Sequence, residues 1–359
     1  MPRSRVLIVD DSVVIRHVLR EQLGSAPDIE VVGVAANGRI ALAKIEQLAP
    51  DVIILDVEMP ELDGLATLRE LRRRPVRPRV IMFSSHTTEQ AQPTVEALAL
   101  GAEDCVAKPS SLGSSDGAQA AAIQALLERI RMLTSSRPVP PGAGAGAAVR
   151  RVEAPALAPP TSGLRRRVGL VAIGASTGGP NALCRLFARL PAGLPVPIVI
   201  VQHMPAGFTR HFAERLTRES SIRVEEGTEG AALEPGRAWI APGGRHMVVR
   251  RRAAALCLHL HDEPPVWSCR PAVDVLFESV AAAAAPGALG VVMTGMGEDG
   301  KRGAAALRQA GCSVIVQDEQ SSVVWGMAGA VATAGLAEAM LPPDELGDEI
   351  CRRTRRDLP

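Results

Sequence analysis

Two sets of polar side chains in this chain have the types and positions for chemistry, and they lie in different halves. Asp10 and Asp11 follow the apolar run Val6–Val9, Asp56 follows Val52–Leu55, Ser84 follows Val80–Phe83, and Lys108, just before Pro109, follows Cys105–Ala107. Carboxylates brought together repel one another unless a cation sits among them, and an all-oxygen set suits a hard ion such as Mg²⁺. With that ion and Lys108 neutralising charge, a carboxylate can attack a phosphoryl group and form an aspartyl phosphate, while Ser84 hydrogen-bonds a phosphoryl oxygen. In the second half, Ser176 sits in Gly174-Ala175-Ser176-Thr177-Gly178-Gly179-Pro180, His203 in Gln202-His203-Met204-Pro205 and Asp299 in Thr294-Gly295-Met296-Gly297-Glu298-Asp299-Gly300. Hydroxyl, imidazole and carboxylate are the parts of a serine nucleophile: His203 would take the Ser176 proton and Asp299 would orient the ring. Backbone N–H groups at Met296 and near Thr177 are candidate oxyanion donors.

Each of these residues alone has a plainer reading. The glycine-rich turn fits a phosphate cradle about as well as a nucleophile. It also resembles a dinucleotide fingerprint, but it lacks the GxGxxG spacing, and no acidic residue follows about 20 residues later at a second strand end. Asp299 could cap the helix after Gly300, and His203 could be a satisfied loop histidine. His259 and His261 alternate across Leu260 and could share a strand face as metal ligands beside Asp262, as in a metallohydrolase. Without further ligand spacing they read as exposed strand histidines. His246 and Arg270 could meet a substrate's acidic surroundings or fix a loop.

The elements needed to bring these groups together are legible. Val6–Val9, Ile29–Val34, Val52–Leu55, Val80–Phe83 and Cys105–Ala107 read as strands, and helical spacing over Val13–Leu23 and Ile40–Leu48 falls between them. Strands this apolar, alternating with helices, predict a parallel sheet covered on both faces, of the flavodoxin-like order. Its ligands would sit beyond the carboxyl ends of the strands, where all five polar residues fall. Ala118–Leu133 reads as a closing helix. From about Ser135 to Gly163, Pro, Gly and Ala dominate and periodicity vanishes, predicting a flexible tether flanked by Arg150, Arg151, Arg165, Arg166 and Arg167. A second, doubly wound α/β pattern follows, with strands Val168–Ile173, Ile198–Val201, Ala238–Ile240, Gly290–Thr294 and Ser313–Val316, a helix Ala182–Arg189 and a mostly parallel ladder. The domains are thus residues 1–125, a helix end and linker at 126–165, and 166–359.

Composition narrows the class. With 359 residues and 47% hydrophobic content there is material for two cores, built from aliphatic side chains because aromatics make up only 2%. A net charge of +1 gives no reason to expect nucleic acid as a partner. Six cysteines without CxxC pairing read as scattered buried thiols of a reducing cytosol. Met-Pro-Arg-Ser-Arg runs straight into the first strand, which predicts no signal peptide, and no apolar stretch is long enough to insert in a membrane.

The first set of residues, together with Asp-Val-Glu-Met-Pro-Glu-Leu-Asp-Gly (56–64) and Gly101-Ala102, resembles a two-component receiver domain, with Asp56 matching the phospho-acceptor. It departs from the pattern at Cys105, where an aromatic residue is usual. The second set, with Ala241-Pro242-Gly243-Gly244-Arg245-His246-Met247 and Arg270-Pro271-Ala272-Val273-Asp274-Val275-Leu276-Phe277, resembles the catalytic domain of the chemotaxis protein-glutamate methylesterases (CheB), departing at Ala328, where Pro is usual. The resemblance implies a cytoplasmic, phosphorylation-activated serine hydrolase. It would demethylate glutamate methyl esters, and deamidate glutamines, on the cytoplasmic helices of chemoreceptors. Ser176 would be nucleophile, His203 base and Asp299 orienting acid. Mg²⁺ would serve the receiver and no cofactor the esterase. The phosphodonor would be a histidine kinase of the CheA type, the chain a monomer, and the unphosphorylated receiver would cover the serine cleft. A docking module, or an esterase in a non-chemotactic pathway, is the alternative.

Overall fold

In the computed structural model, the described residues are 3–75, 77–85, 88–109, 117–135, 168–253 and 255–355. They form two compact units. The expected tether and its flanking arginines lie outside the described residues, apart from Ser135.

The N-terminal unit alternates β1 (Ser4–Val9), α1 (Val13–Gly24), β2 (Ile29–Ala35), α2 (Gly38–Leu48), β3 (Val52–Leu55), α3 (Gly64–Arg72), β4 (Arg79–Ser85), α4 (Thr88–Ala99), β5 (Asp104–Lys108) and α5 (Gly117–Ser135). The five strands pair in parallel in the order β2-β1-β3-β4-β5, the flavodoxin-like order expected. Strands β1 and β3 are buried along their apolar lengths, which is why they carry no alternation. Side chains of Ser12, Asn37 and Asp63 accept from the first turns of α1, α2 and α3, fixing where each helix begins. The sheet reverses between β1 and β3, so Asp10 and Asp56, the residues that follow these strands, face one crevice.

The C-terminal half of the chain comprises β6 (Leu170–Ala175), α6 (Gly179–Phe187), β7 (Ile198–Gln202), α7 (Phe208–Glu219), β8 (Arg223–Glu226), β9 (Arg237–Ile240), β10 (His246–Arg252), β11 (Ala255–His261), α8 (Val273–Ala284), β12 (Ala288–Val292), α9 (Lys301–Gln309), β13 (Ser313–Gln317), α10 (Met327–Thr333), β14 (Met340–Leu341) and α11 (Pro343–Thr354). Seven strands run in the order β14-β13-β12-β6-β7-β9-β8, every pair parallel. The antiparallel ribbon β10–β11 stands apart from that sheet. Its inward residues Met247, Val249, Leu258 and Leu260 join Leu276, Phe277 and Val280 of α8 in the core.

Several expectations need correction. The edge strands β8 and β14 were not legible: Arg-Val-Glu-Glu is mostly polar, and Met340–Leu341 is two residues long. Helix α6 starts at Gly179 rather than Ala182, because Gly178 turns the chain at φ 76° and Pro180 is preset for a first helical turn. The cysteines are not uniformly buried: Cys105 and Cys312 are, whereas Cys184, Cys257, Cys269 and Cys351 are partly exposed. Among the described residues, no helix is long and apolar enough to cross a membrane.

Candidate functional site

The serine site grows from two neighbouring strand ends. Strands β6 and β7 pair in parallel with Ala175 opposite Gln202, so the next residues, Ser176 and His203, emerge side by side. The His203 N–H donates to the Ala175 carbonyl at 3.0 Å. Buried Gln202 reinforces the alignment, its Nε2 donating to the Ser176 carbonyl at 2.9 Å and to that of His203 at 3.3 Å. Gln202 has no role in the reading of the sequence; what could have signalled one is an amide ending a wholly apolar strand.

Asp299 reaches the same edge from the loop after β12. Its Oδ2 lies 2.8 Å from His203 Nε2, and the carboxylate accepts from the N–H groups of Val273 at 2.7 Å and Asp274 at 2.8 Å. Asp299 therefore caps α8, not the helix after Gly300. That helix, α9, is served in return by Asp274, whose Oδ1 accepts from Gly300 and Gly303. Each acid satisfies the orphan donors of the helix that the other belongs to or precedes. Burial would raise the Asp299 pKa, but the hydrogen bond and charge of His203 and the two backbone donors outweigh it and hold it below the usual range.

A carboxylate only accepts, so the His203 nitrogen that faces it, Nε2, carries a proton. The nitrogen left to take a proton from serine is Nδ1. It faces Cys269 Sγ at 3.6 Å, and the Ser176 hydroxyl makes no hydrogen bond among the described residues. Burial would push His203 down, but the hydrogen bonds and charges of Asp299 and Cys269 drive its pKa up to about 10. Cys269 ends a turn whose Val266 and Cys269 exchange both backbone hydrogen bonds, with Trp267 at φ 53° and Ser268 at φ 59°. Two successive left-handed residues that are not glycine each cost about 1–2 kcal/mol. The Trp267 indole N–H anchors the turn on Asp274 Oδ2 at 2.9 Å, although the residue is 57% exposed.

The two expected oxyanion residues lie close by. Thr177 follows Ser176 and is buried; its carbonyl accepts from the Thr294 hydroxyl at 2.9 Å. Met296 is half-buried and follows Gly295, where an added Cβ would fall 2.7 Å from Ser176 Cβ. The Met296 N–H thus issues from a backbone pressed against the serine.

The other candidate histidines, His246, His259 and His261, do not join the site. His246 is buried, its Nε2–H donating to the Pro264 carbonyl at 3.2 Å and its ring 5.2 Å from that of His261. Burial lowers the His246 pKa. His259 donates from Nδ1 to Glu229 at 2.9 Å, and the strand histidines are half-buried rather than exposed. Arg270 donates to the carbonyls of Asp262 and Glu263, so it and His246 fix the 262–264 segment.

In the N-terminal unit, Asp10, Asp11 and Asp56 present carboxylate oxygens within 4.8 Å of one another. Lys108 Nζ stands 2.8 Å from Asp10 Oδ2 and 2.7 Å from Asp56 Oδ2. Its approach to Asp10 is an ion pair without hydrogen-bond alignment, so that buried oxygen has no hydrogen bond among the described residues. Ser84 is buried and pairs in register with Ala107, beside Lys108. Burial, only partly offset by Lys108, raises the Asp56 pKa to about 6. Oxygen-only donors, an unsatisfied buried carboxylate oxygen and one ammonium among three acids fit a hard divalent cation. Gly64 permits the close start of α3: a Cβ there would fall 2.2 Å from the Asp56 carbonyl oxygen. Cys105, on β5, is buried, which pushes its thiol up to about 12.

Residues 171–350 match the family described as CheB methylesterase, and residues 6–114 the response regulator receiver domain. A protein of a Nocardioides species, described as protein-glutamate methylesterase/protein-glutamine glutaminase, is 49% identical over 363 residues, spanning 100% of this chain and 98% of its own. The chain belongs to the CheB methylesterase family. A Trichodesmium erythraeum protein of the same description is 46% identical over 98% of the chain and 99% of its own length. The crystal structure of the Thermotoga maritima CheB methylesterase catalytic domain shares 36% identity at a TM-score of 0.51, covering 52% of this chain and 98% of that one. The chain thus carries a receiver domain followed by a CheB catalytic domain.

Proposed function

We propose that this CheB-family chain hydrolyses γ-glutamyl methyl esters, and deamidates selected glutamines, on cytoplasmic helices of chemoreceptors, with Ser176, His203 and Asp299 as its catalytic set. The observation that carries this is the meeting of His203 with buried Asp299 at the strand end beside Ser176. Ser176 Oγ attacks the ester carbonyl while His203 Nδ1 takes the hydroxyl proton. The C=O electron pair moves to oxygen, where the N–H groups of Met296 and Thr177 donate to it. Collapse breaks the C–OCH₃ bond, and His203 returns the proton to the leaving methoxide, giving methanol. Water, deprotonated by the same nitrogen, then attacks the acyl-serine; the C–Oγ bond breaks, the proton returns to Ser176 Oγ and glutamate leaves. A primary amide follows the same course with ammonia as leaving group.

Control resides in the receiver. Asp56 attacks a phosphoryl group supplied by a histidine kinase of the CheA type, and Lys108 and Ser84 contact the phosphoryl oxygens. Asp10, Asp11 and Asp56 would hold Mg²⁺, which supplies charge neutralisation when bound. The chain works in the cytoplasm as a monomer, and its domains are residues 1–125 and 166–359 with a linker between. The test is methanol release from membranes carrying methylated receptors. Ser176→Ala should abolish it and lose labelling by a fluorophosphonate probe while keeping the fold; undiminished release would end the serine assignment.

A further inference from the structure

The thiol of Cys269 is absorbed by no part of the reaction above, yet it occupies the ring nitrogen that the reaction needs. Asp299 holds Nε2 of His203, and Cys269 Sγ sits 3.6 Å from Nδ1. We propose, resting on the serine reading, that Cys269 is a positioning residue for the base: its sulfur accepts the Nδ1 proton of charged His203 and holds the ring in that form between turnovers. Three further observations bear on it. The turn carrying Cys269 is held with Trp267 and Ser268 both at positive φ and closed by both backbone hydrogen bonds between Val266 and Cys269, and it brings the sulfur to the ring. Trp267 locks that turn to Asp274, whose N–H in turn binds Asp299, so sulfur and carboxylate are fixed from one helix start. His203 is also displaced upward in pKa, with Cys269 among the causes. Asp299 and Cys269 are the titratable groups acting directly on the ring; Asp274 and His246 act on or through Asp299.

The consequence has a sign. A sulfur that accepts from Nδ1–H favours the protonated ring, so removing it makes the base available at lower pH. In the full chain acting on a peptide γ-methyl ester, Cys269→Ala should move the acid limb of kcat/KM down by about one pH unit, a roughly tenfold gain on that limb with KM unchanged. Cys269→Ser, which keeps an acceptor beside Nδ1, should hold the limb near that of the parent. The His203 ring titration, followed by NMR, should shift with the kinetics, a readout that a space-filling role would not move. A limb and titration in Cys269→Ala that coincide with the parent, alongside an inactive Ser176→Ala, would overturn the role of Cys269 and leave the triad standing. A fully active Ser176→Ala would overturn the triad instead, and the ring titration alone would then judge the thiol contact.

Discussion

Replacing Asp299 by Asn tests the catalytic geometry most directly, because the carboxylate holds three donors with two oxygens. An amide keeps one acceptor. If its oxygen takes the Oδ2 position, it still serves His203 and Val273, but its NH₂ meets the Asp274 N–H. If it takes the Oδ1 position, the NH₂ meets Val273 N–H and His203 Nε2. The ring must then move its proton to Nδ1, the nitrogen that should receive from Ser176. The second arrangement removes the base, and the corresponding tautomer error in a serine protease costs about ten-thousand-fold in kcat, or about 5.5 kcal/mol in barrier. Either arrangement leaves a buried donor facing a donor, so the domain should lose about 2 kcal/mol of stability and roughly 4–8 °C in Tm. The assay is single-substrate methanol release at saturating ester, with a thermal melt alongside and the His203 tautomer read by ¹⁵N NMR. An Asp299→Asn protein whose kcat stays within about tenfold of the parent with the proton on Nδ1, or falls about ten-thousand-fold with Nε2 still protonated, would refute the claim that the tautomer set at this contact governs the base.

Two other outcomes follow from the same coordinates. Asp56 has its pKa raised to about 6 in the folded receiver. The folded state then holds the Asp56 proton more tightly than the unfolded one, a contribution present below pH 3.8 and lost as pH rises through about 6. Asp56→Asn should therefore stabilise the metal-free protein by about 3 kcal/mol at pH 7.5 and by little at pH 4; equal melting temperatures for parent and variant at pH 7.5 would contradict this. At Gly295, an added methyl would press first on Met327 Sδ and then on Ser176 Cβ, so Gly295→Ala should cut kcat by about a hundredfold or more with the fold retained, as circular dichroism and turnover together would show.

What the sequence made visible follows from how parallel sheets work. Buried strands read as unbroken apolar runs, so their carboxyl ends are well marked, and Asp10, Asp56, Ser84, Lys108, Ser176 and His203 all stand at such ends. Residues whose placement depends on loops were harder to read. Asp299 precedes α9 in the chain, and its plainer reading beside the orienting acid was a cap for that helix, yet the capping is exchanged with Asp274 because α8 and α9 begin side by side. Cys269 gave no sign of reaching His203, since Trp-Ser is not a sequence that announces a turn with two positive φ values. Nor could any pattern tell which nitrogen of His203 the carboxylate would hold.

The exchange of caps between Asp299 and Asp274 ties reactivity to architecture. Here the backbone of one helix start grips the carboxylate, and the acid of that helix secures the next. Selection for a faster or slower base thus acts on the same hydrogen bonds that let two helices begin. Engineers moving this site into another scaffold would have to transplant both helix origins together, not three side chains.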